Sequence, residues 1–466
     1  MKLNDILKVI GIEGKDSREI LNVTCDSEKV DSQSIFVAIQ GVRFDSHIYL
    51  EKATSLGGFT ISNYGMGGDI EVANTQEIYA PLVLALKGNL QTMFTLVGIT
   101  GTNGKSSVGY AVYTGLLALG HAACFVSTDG IFLKDMCIET RTTTPSIDEL
   151  VVVLETCKEE SITHIIMEVS SHSLAQYRLN GILFDVFVYT NLGHDHLDYH
   201  GSFMDYFEVK KKGVFYVKDM GKVLLSLDPL LQLLTPFIPV SYSIVGEGDY
   251  EYSYEWKEDG VSLFFRNQTY SLPLYCDFQV VNLMLAVGVL LQLECEERVL
   301  SILGECSTMP GRMECVYQGE FTVFVDYAHT VEAYLTLGKH LSRYRDEKWI
   351  VFGLGGDRDQ LKRPWIGSIV DEYFDHIVLT SDNPRGEDVL EICNMIKKGI
   401  EKECVIILNR EDAINYALLN VSKHGIIVVA GKGNESFMKC GSEIVAFKDS
   451  EVIYRSLVKR GFIHAI

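Results

Sequence analysis

The chain has 466 residues, and at roughly 150 residues per domain this points to about three domains, each long enough to bury its own core. Hydrophobic residues at 47% and charged residues at 22% exclude a disordered or fibrous chain. Against 62 Asp and Glu stand only 41 Lys and Arg, and the net charge of -21 repels a phosphate polyanion, so nucleic acid is a poor partner.

The first residues, MKLNDILKVIGIEGKDSREI, show no basic stretch followed by a long apolar run, so no secretory signal is expected. The most apolar internal run, 280–293, is too short for a membrane span and contains Asn282. No membrane association and a cytoplasmic location are therefore expected, with a monomer as the working state. Eleven cysteines without a C-x-x-C pair suit free thiols in a reducing compartment, with neither disulfides nor zinc.

In chain order, the first ninety or so residues alternate short β-like runs such as SIFVAIQG (34–41) with helix-like stretches, up to a break at Lys87, Gly88 and Asn89. A boundary is placed near 92. MFTLVGI (93–99) reads as a buried strand, and KSSVGYAVYTGLLAL (105–119) has helical apolar spacing. HIIMEVSS (164–171), FDVFVYTN (184–191) and KVLLSL (222–227) continue the β-α pattern, and the alternating runs around EDG between 248 and 273 predict an antiparallel hairpin. After MPGR (309–312) the alternation restarts with FTVFVDY, WIVFGLG, HIVLTS, CVIIL and GIIVVAG, a second parallel sheet of Rossmann type. The expected fold class is α/β with three domains, 1–92, 93–310 and 311–466.

TGTNGKSS, at 100–107, looks like a phosphate loop between a strand and a helix, yet Ile99 stands where G-x-x-x-x-G-K-[ST] requires glycine. Its glycines let backbone N–H groups approach phosphate oxygens, and the helix N-terminus adds its positive dipole end. Lys105 would meet the β- and γ-phosphates and Ser106 a Mg²⁺ ion; the bland alternative is a Gly-rich turn. Further on, Glu168 ends one predicted strand and HDHLDYH (194–200) follows another. A carboxylate and an imidazole suit a Mg²⁺ that bridges phosphate and a carboxylate. The His-rich run also reads as a transition-metal cluster or a polar loop, and the nearby phosphate loop favours Mg²⁺.

The shorter loop G-T-N-G-K-[ST] resembles that of the Mur ligase family, ATP-dependent enzymes that add amino acids to the peptidoglycan precursor. The resemblance runs in order from about Thr24 to Glu435. It implies ATP contacts at Gly101, Thr102, Asn103, Gly104, Lys105, Ser106, Ser107, Asn282 and Arg312, and it makes Lys105, Glu168, His196, Lys210, Arg312 and Asp326 the catalytic set. Ser106, Glu168, His196 and Lys210 would hold Mg²⁺, the lysine as a carbamate formed from CO₂. Counting fourteen positions forward from His196 chooses Lys210, whereas counting back from Phe215 chooses Lys211; a third alternative leaves all three lysines of the KKK run on a solvated helix face. FQVVN (278–282) resembles the family's adenine-binding helix start, with Gln279 and Cys276 departing from the usual Asn and Gly.

Within the family, the N-terminal motifs resemble those of the branch that adds the third residue. They imply contacts to a UDP-N-acetylmuramoyl-L-Ala-D-Glu substrate at Cys25, Ser27, Val42, Arg43 and Phe44, continued by Thr143, Thr144, Ser170, Gln176 and Arg178. Glu28 and Ser46 replace the usual Arg and Gly. GLGGDRD (353–359), SDNPR (381–385) and AGKGNE (430–435) imply an amino-acid site at Arg358, Asp382, Asn383, Pro384, Arg385, Gly431 and Glu435, with Asn434 where His is common. D-N-P-R is the form of relatives that add meso-diaminopimelate, and lysine-adding relatives lack its arginine. Diaminopimelate carries a distal carboxylate that lysine lacks, and a guanidinium meets a carboxylate with two parallel bonds. The implied reaction is ligation through an acyl phosphate. The same ligation with L-lysine, or a nucleotide-binding relative that has lost catalysis, are the alternatives.

Overall fold

A computed structural model of the chain describes residues 1–463 except 15, 42, 43, 135, 141, 194, 258, 259, 294–298, 306–308 and 442. It divides into two compact units, 1–272 with 281–306, and 273–280 with 307–466.

The first unit opens with a four-stranded parallel sheet in the order Asn22–Thr24, Ser34–Val37, Phe59–Asn63, Ile70–Val72. Ile35, Val37 and Ile61 from this sheet belong to the same apolar cluster as Leu96, Ile165 and Val223 further along the chain. Polar contacts reinforce that junction: the Tyr79 hydroxyl donates to Asp148 at 2.8 Å, and Lys87 pairs with Glu155 at 2.8 Å. One continuous core explains why no compact-unit boundary falls at 92.

The larger sheet of this unit has eight strands in the order Ser241–Ile244, Val217–Leu225, Phe184–Tyr189, Thr95–Thr100, His164–Glu168, Ala123–Ser127, Gly130–Leu133, Met136–Ile138. The run from Ser241–Ile244 to Ala123–Ser127 is parallel, and the last two strands fold back antiparallel at the edge. Thr95–Thr100 lies between two parallel neighbours and is buried on both faces, which is why its sequence is an unbroken apolar run rather than an alternation. The predicted hairpin is present and gains a third antiparallel strand, giving Tyr252–Lys257, Gly260–Phe265 and Gln268–Leu272.

In the second unit six strands run in the order Glu314–Gln318, Thr322–Asp326, Ile426–Ala430, Lys348–Phe352, His376–Leu379, Cys404–Ile406. Only the first pairs antiparallel. Side chains alternate between its faces: Phe324, Ile350, Phe352 and Val428 enter one core, while Val323, Val325, Trp349, Val351 and Val429 enter the other. Both faces are therefore covered, as in a doubly wound fold.

In each unit the predicted site loops leave the carboxyl ends of adjacent parallel strands, where such sheets place their ligands. Thr100, Glu168 and Tyr189 end three neighbouring strands of the first unit; Phe352, Leu379 and Ala430 end three neighbours of the second.

Candidate active site

The strand ending at Thr100 turns into helix Lys105–Ala118 through a loop that two glycines make possible. Gly101 has φ 147°, and a Cβ there would fall 1.9 Å from Thr190 Oγ1; Gly104 has φ 84° and ends the loop in the left-handed region. The loop is tied from outside: Thr102 N donates to Asn191 O at 3.0 Å, Asn103 N to Asn191 Oδ1 at 2.9 Å, and the Thr102 hydroxyl meets the Tyr206 hydroxyl at 3.0 Å. Asn282 packs against it, its Oδ1 2.6 Å from the position of a Cβ on Gly104. Lys105 curls over the loop and donates to Gly101 O at 3.0 Å and Thr102 O at 2.9 Å, while Ser106 is buried in the first helical turn beside the exposed-to-half-buried Asn103 and Ser107.

Two further charges converge on this loop. Glu168 is fully buried; its Oε2 accepts from Thr128 Oγ1 at 2.9 Å, and among the described residues its Oε1 has no hydrogen-bond partner. Burial pushes its carboxyl above the usual range, opposed by the Lys105 ammonium and by the nearby Ser106 and Thr128 hydroxyls. An orphaned carboxylate oxygen beside a phosphate loop suits a hard cation. Lys210, in helix Phe203–Lys211, is 1% exposed and donates to Thr100 Oγ1 at 2.8 Å and Gly101 O at 3.1 Å. Burial first, and the Lys105 charge second, hold its ammonium well below the ordinary lysine range. Lys211 instead pairs with Glu208 and lies over the Phe237 ring, and Lys212 lies over the Tyr177 ring.

His196 is set off by a left-handed φ of 53°, just before helix Leu197–His200. Its ring is half exposed and stands 4.8 Å from His172, whose own ring lies 4.2 Å from that of Tyr199 at a tilt of 41°. From Tyr199 the polar chain continues: Gln176 Nε2 donates to its hydroxyl at 3.0 Å, Arg178 Nε donates to Gln176 Oε1 at 2.9 Å, and Arg178 Nη1 donates to Thr144 O at 3.0 Å. Thr144 Oγ1 donates to Glu168 O at 2.9 Å and accepts from Ser170 N at 3.0 Å, and the Thr143 and Thr128 hydroxyls meet at 3.0 Å. Of the residues predicted for the UDP-linked substrate, Thr143, Thr144, Ser170, Gln176 and Arg178 thus form one network around Glu168. Thr128 and His172 extend it, and Tyr206 braces the neighbouring loop through Thr102; nothing in their sequence context singles out Thr128 or Tyr206.

Of the N-terminal set, Cys25 is half-buried with its thiol pushed up by burial, and Ser27 is buried at the start of a turn that Asp26 caps. Phe44 is exposed with its ring 5.8 Å from Tyr49. Val42 and Arg43 lie outside the described residues. Ser46 is buried and closes this loop, accepting from Ile39 N at 2.7 Å.

In the second unit, Arg312 stacks over Tyr327 at 4.2 Å, and Asp326 accepts from Met313 N and Ala328 N, each at 2.8 Å. Burial raises the Asp326 carboxyl and Arg312 opposes it. Gln279 uses its extra length to cap Tyr275 N at 2.8 Å and Cys276 N at 3.1 Å while donating to Met313 O at 3.3 Å.

The amino-acid set is drawn together more tightly. Asn383 Nδ2 donates to Glu435 Oε2 at 2.8 Å, and the buried Lys432 donates to the same oxygen at 2.8 Å. Asp382 is buried under Gly431, with burial raising its carboxyl and Arg410 and Lys432 opposing. Buried Pro384 leads into Arg385, whose φ is 50°. That conformation is pinned from both sides, with Arg385 N donating to Lys439 O at 3.0 Å and Gly441 N to Arg385 O at 2.7 Å. Arg385 Nη1 donates to Gly356 O at 2.6 Å; among the described residues Nη2 and Nε have no partner. Arg358 is exposed on the preceding loop. Lys432 sits inside the GKGNE run, so its place was readable even though its role was not.

The Mur ligase middle-domain family matches residues 99–290, and the Mur ligase glutamate ligase domain matches 311–433. The UDP-N-acetylmuramoyl-L-alanyl-D-glutamate--2,6-diaminopimelate ligase of Caldanaerobacter subterraneus subsp. tengcongensis is 33% identical over 480 residues, covering 98% of this chain and 99% of that protein. The proteins of the same name from Bacteroides fragilis and Bacillus cereus are 31% and 30% identical, over 97% and 99% of this chain and 98% and 99% of their own. A solved structure of a ligase of that name matches with a TM-score of 0.71 at 24% identity, covering 99% of this chain and 100% of that one. The MurF ligase from Thermotoga maritima in complex with ADP matches at 0.59 and 17%, covering 94% and 97%. These two likenesses concern the fold. By its two domain matches and its full-length relatives, this chain belongs to the Mur ligase family.

Proposed function

We propose that this chain is an ATP-dependent ligase that joins meso-2,6-diaminopimelate to UDP-N-acetylmuramoyl-L-alanyl-D-glutamate, the reaction in the names of its full-length relatives. The observation that carries the reading is the convergence of Lys105, Glu168 and Lys210 on a single phosphate loop. In this reading 1–92 takes the uridine nucleotide, 93–310 the ATP and 311–466 the amino acid, in a cytoplasmic monomer. Among the described residues no helix is long and apolar enough to cross a membrane.

The chemistry balances in two displacements. An oxygen of the D-Glu γ-carboxylate bonds to the γ-phosphorus of ATP as the β–γ bridging P–O bond breaks, giving an acyl phosphate and ADP. The diaminopimelate amine then attacks the acyl carbon, the C–O bond to phosphate breaks, and the nitrogen loses a proton. Little covalent work falls to the protein; it positions groups and offsets charge. Lys105 would leave the loop carbonyls for the β- and γ-phosphates, which offer it a full negative charge in their place. Arg178, Gln176, Thr143, Thr144 and Ser170 would orient the acceptor beside Glu168. Ser106, Glu168, His196 and Lys210 as its carbamate would hold Mg²⁺, whose charge, when it is bound, offsets that of the phosphates. The depressed pKa of Lys210 supports the carbamate, because only a neutral amine adds to CO₂.

For the amino acid, the two nitrogens of Arg385 that have no partner among the described residues support a distal carboxylate as their ligand. With L-lysine that guanidinium would stay unpaired, and a site built for a polar partner rejects its absence by roughly 10⁴ to 10⁵. The test is phosphate release with ATP, Mg²⁺ and the UDP-dipeptide, comparing diaminopimelate with lysine. Turnover with diaminopimelate alone is expected; silence with both would overturn the reading.

A further inference from the structure

Beyond the residues assigned above, an ion pair between a fully buried arginine and a half-buried carboxylate joins the loop that carries Arg358 to the loop that carries Arg385. Arg363, from helix Lys362–Tyr373, has a side chain with no exposed surface and meets Glu387 as a fork, Nη1 to Oε2 at 2.7 Å and Nη2 to Oε1 at 2.8 Å. Its Nη2 also reaches Gly355 O at 3.3 Å. Glu387 takes two more bonds, from Asp357 N at 2.5 Å and from Gln360 Nε2 at 3.2 Å. One carboxylate therefore fastens the loop that carries Arg358 to the loop that carries Arg385. Other cross-loop bonds follow the same seam: Gly356 N donates to Asn383 O at 2.9 Å, and Gly386 N to Asp357 Oδ2 at 3.1 Å.

Two physical consequences meet at Arg385. First, Gly356 O, which holds Arg385 Nη1, lies one residue from both Gly355 and Asp357, so the ion pair fixes the carbonyl that aims the guanidinium. A bidentate arginine works only where its fork is held to within a fraction of an ångström. Second, Glu387, the carboxylate two residues beyond Arg385 in sequence, is engaged elsewhere. Arg363 occupies both Glu387 oxygens, and Nη2 and Nε of Arg385 remain open among the described residues.

We propose that the Arg363–Glu387 pair is a positioning device for amino-acid selection, holding the Arg385 fork in place and keeping the nearby carboxylate off it. The proposal rests on the assignment of Arg385 to the distal carboxylate of diaminopimelate. Glu387→Gln and Arg363→Lys test it by steady-state phosphate release, with the thermal unfolding midpoint measured alongside. The expected result is a KM for diaminopimelate raised about tenfold or more, a KM for ATP within about twofold of the parent, and a parallel loss of preference for diaminopimelate over lysine. Folded variants whose two KM values stay unchanged, or rise together, would overturn it, because a merely structural pair predicts a lower midpoint without that split. Should Glu387→Gln fail to fold, Glu387→Asp keeps the charge, shortens the reach and is held to the same split. Failure of the parent enzyme with both amino acids sinks the functional reading and this proposal with it; a competent parent with indifferent variants sinks the proposal alone.

Discussion

Lys210 Nζ donates to Thr100 Oγ1 at 2.8 Å, at the last residue of the strand that feeds the phosphate loop. Neither Lys211 nor Lys212 makes such a contact; they lie over the Phe237 and Tyr177 rings. Lys210→Ala is expected to cost on the order of 10²-fold or more in kcat, whereas Lys211→Ala and Lys212→Ala stay within about threefold. Bicarbonate depletion should lower parent activity reversibly. Intact-mass analysis in bicarbonate should find CO₂ added to the parent and none added to Lys210→Ala; an active Lys210→Ala would refute the assignment.

Lys105 donates to two backbone carbonyls at 3.0 and 2.9 Å, neutral acceptors that, on the proposed reading, it would exchange for the charged phosphates of ATP. Lys105→Ala should therefore fold normally and lose roughly 10²- to 10³-fold in kcat, the usual scale for removing one preorganised charge-stabilising donor. Thermal unfolding and phosphate release together check it. Near-parental ligation by this variant would remove the phosphate role.

The strands around these residues were legible because parallel strands buried on both faces leave unbroken apolar runs, as 93–99 and 426–430 do. The places of the loops at 100–107, 353–359, 381–385 and 430–435 were legible because runs of glycine beside lysine or arginine mark where strands end and the chain turns. Thr128 was not, since a lone threonine has no signature until the sheet brings it within 2.9 Å of Glu168. The choice between Lys210 and Lys211 also escaped counting; the turn of a helix decides which side chain enters the core, and a one-residue difference in the KKK run hides that. Arg363 stood in plain view within KRP, but its partner Glu387 is 24 residues away in sequence and only the adjacent strand ends make them neighbours.

Arg385 provides two nitrogens without a partner among the described residues, on a strained, doubly pinned backbone. Arg385→Ala should reduce kcat/KM for diaminopimelate by roughly 10²-fold or more, the scale of losing one side of a desolvated charge pair. Lysine turnover should rise, because the guanidinium that lysine leaves unpaired is gone. Equal losses with both amino acids would mean that the arginine supports the loop and does not read the distal group.

Arg410 and Asp449 are both fully buried and meet at 2.7 Å through two bonds, and Arg410 also holds Ser381 O at 3.1 Å and Ala430 O at 2.9 Å. Those carbonyls precede Asp382 and Gly431. Arg410→Met leaves Asp449 as an unpaired buried charge, so a loss of about 3–5 kcal/mol in unfolding free energy is expected. Chemical denaturation measures it, and a change below about 1 kcal/mol would mean that the pair is dispensable.

The Arg363–Glu387 pair also has a pH signature. The Arg363 guanidinium holds the Glu387 carboxyl down to about 2, against a usual value of 4.5 and despite the opposing effect of burial. A depressed folded-state pKa contributes stability that is fully present above the unfolded value and is lost as pH falls through the folded one. The stability gap between the parent and Glu387→Gln should therefore be flat above about pH 5, narrow below 4.5 and be mostly gone near 2. Other carboxylates titrate in the same range, but they do so in both proteins and cancel in the difference. Urea unfolding at intervals between about pH 2.5 and 7 measures the gap directly. A gap that stays constant to the acid limit, or that widens there, would show that Glu387 does not carry its charge into the pair.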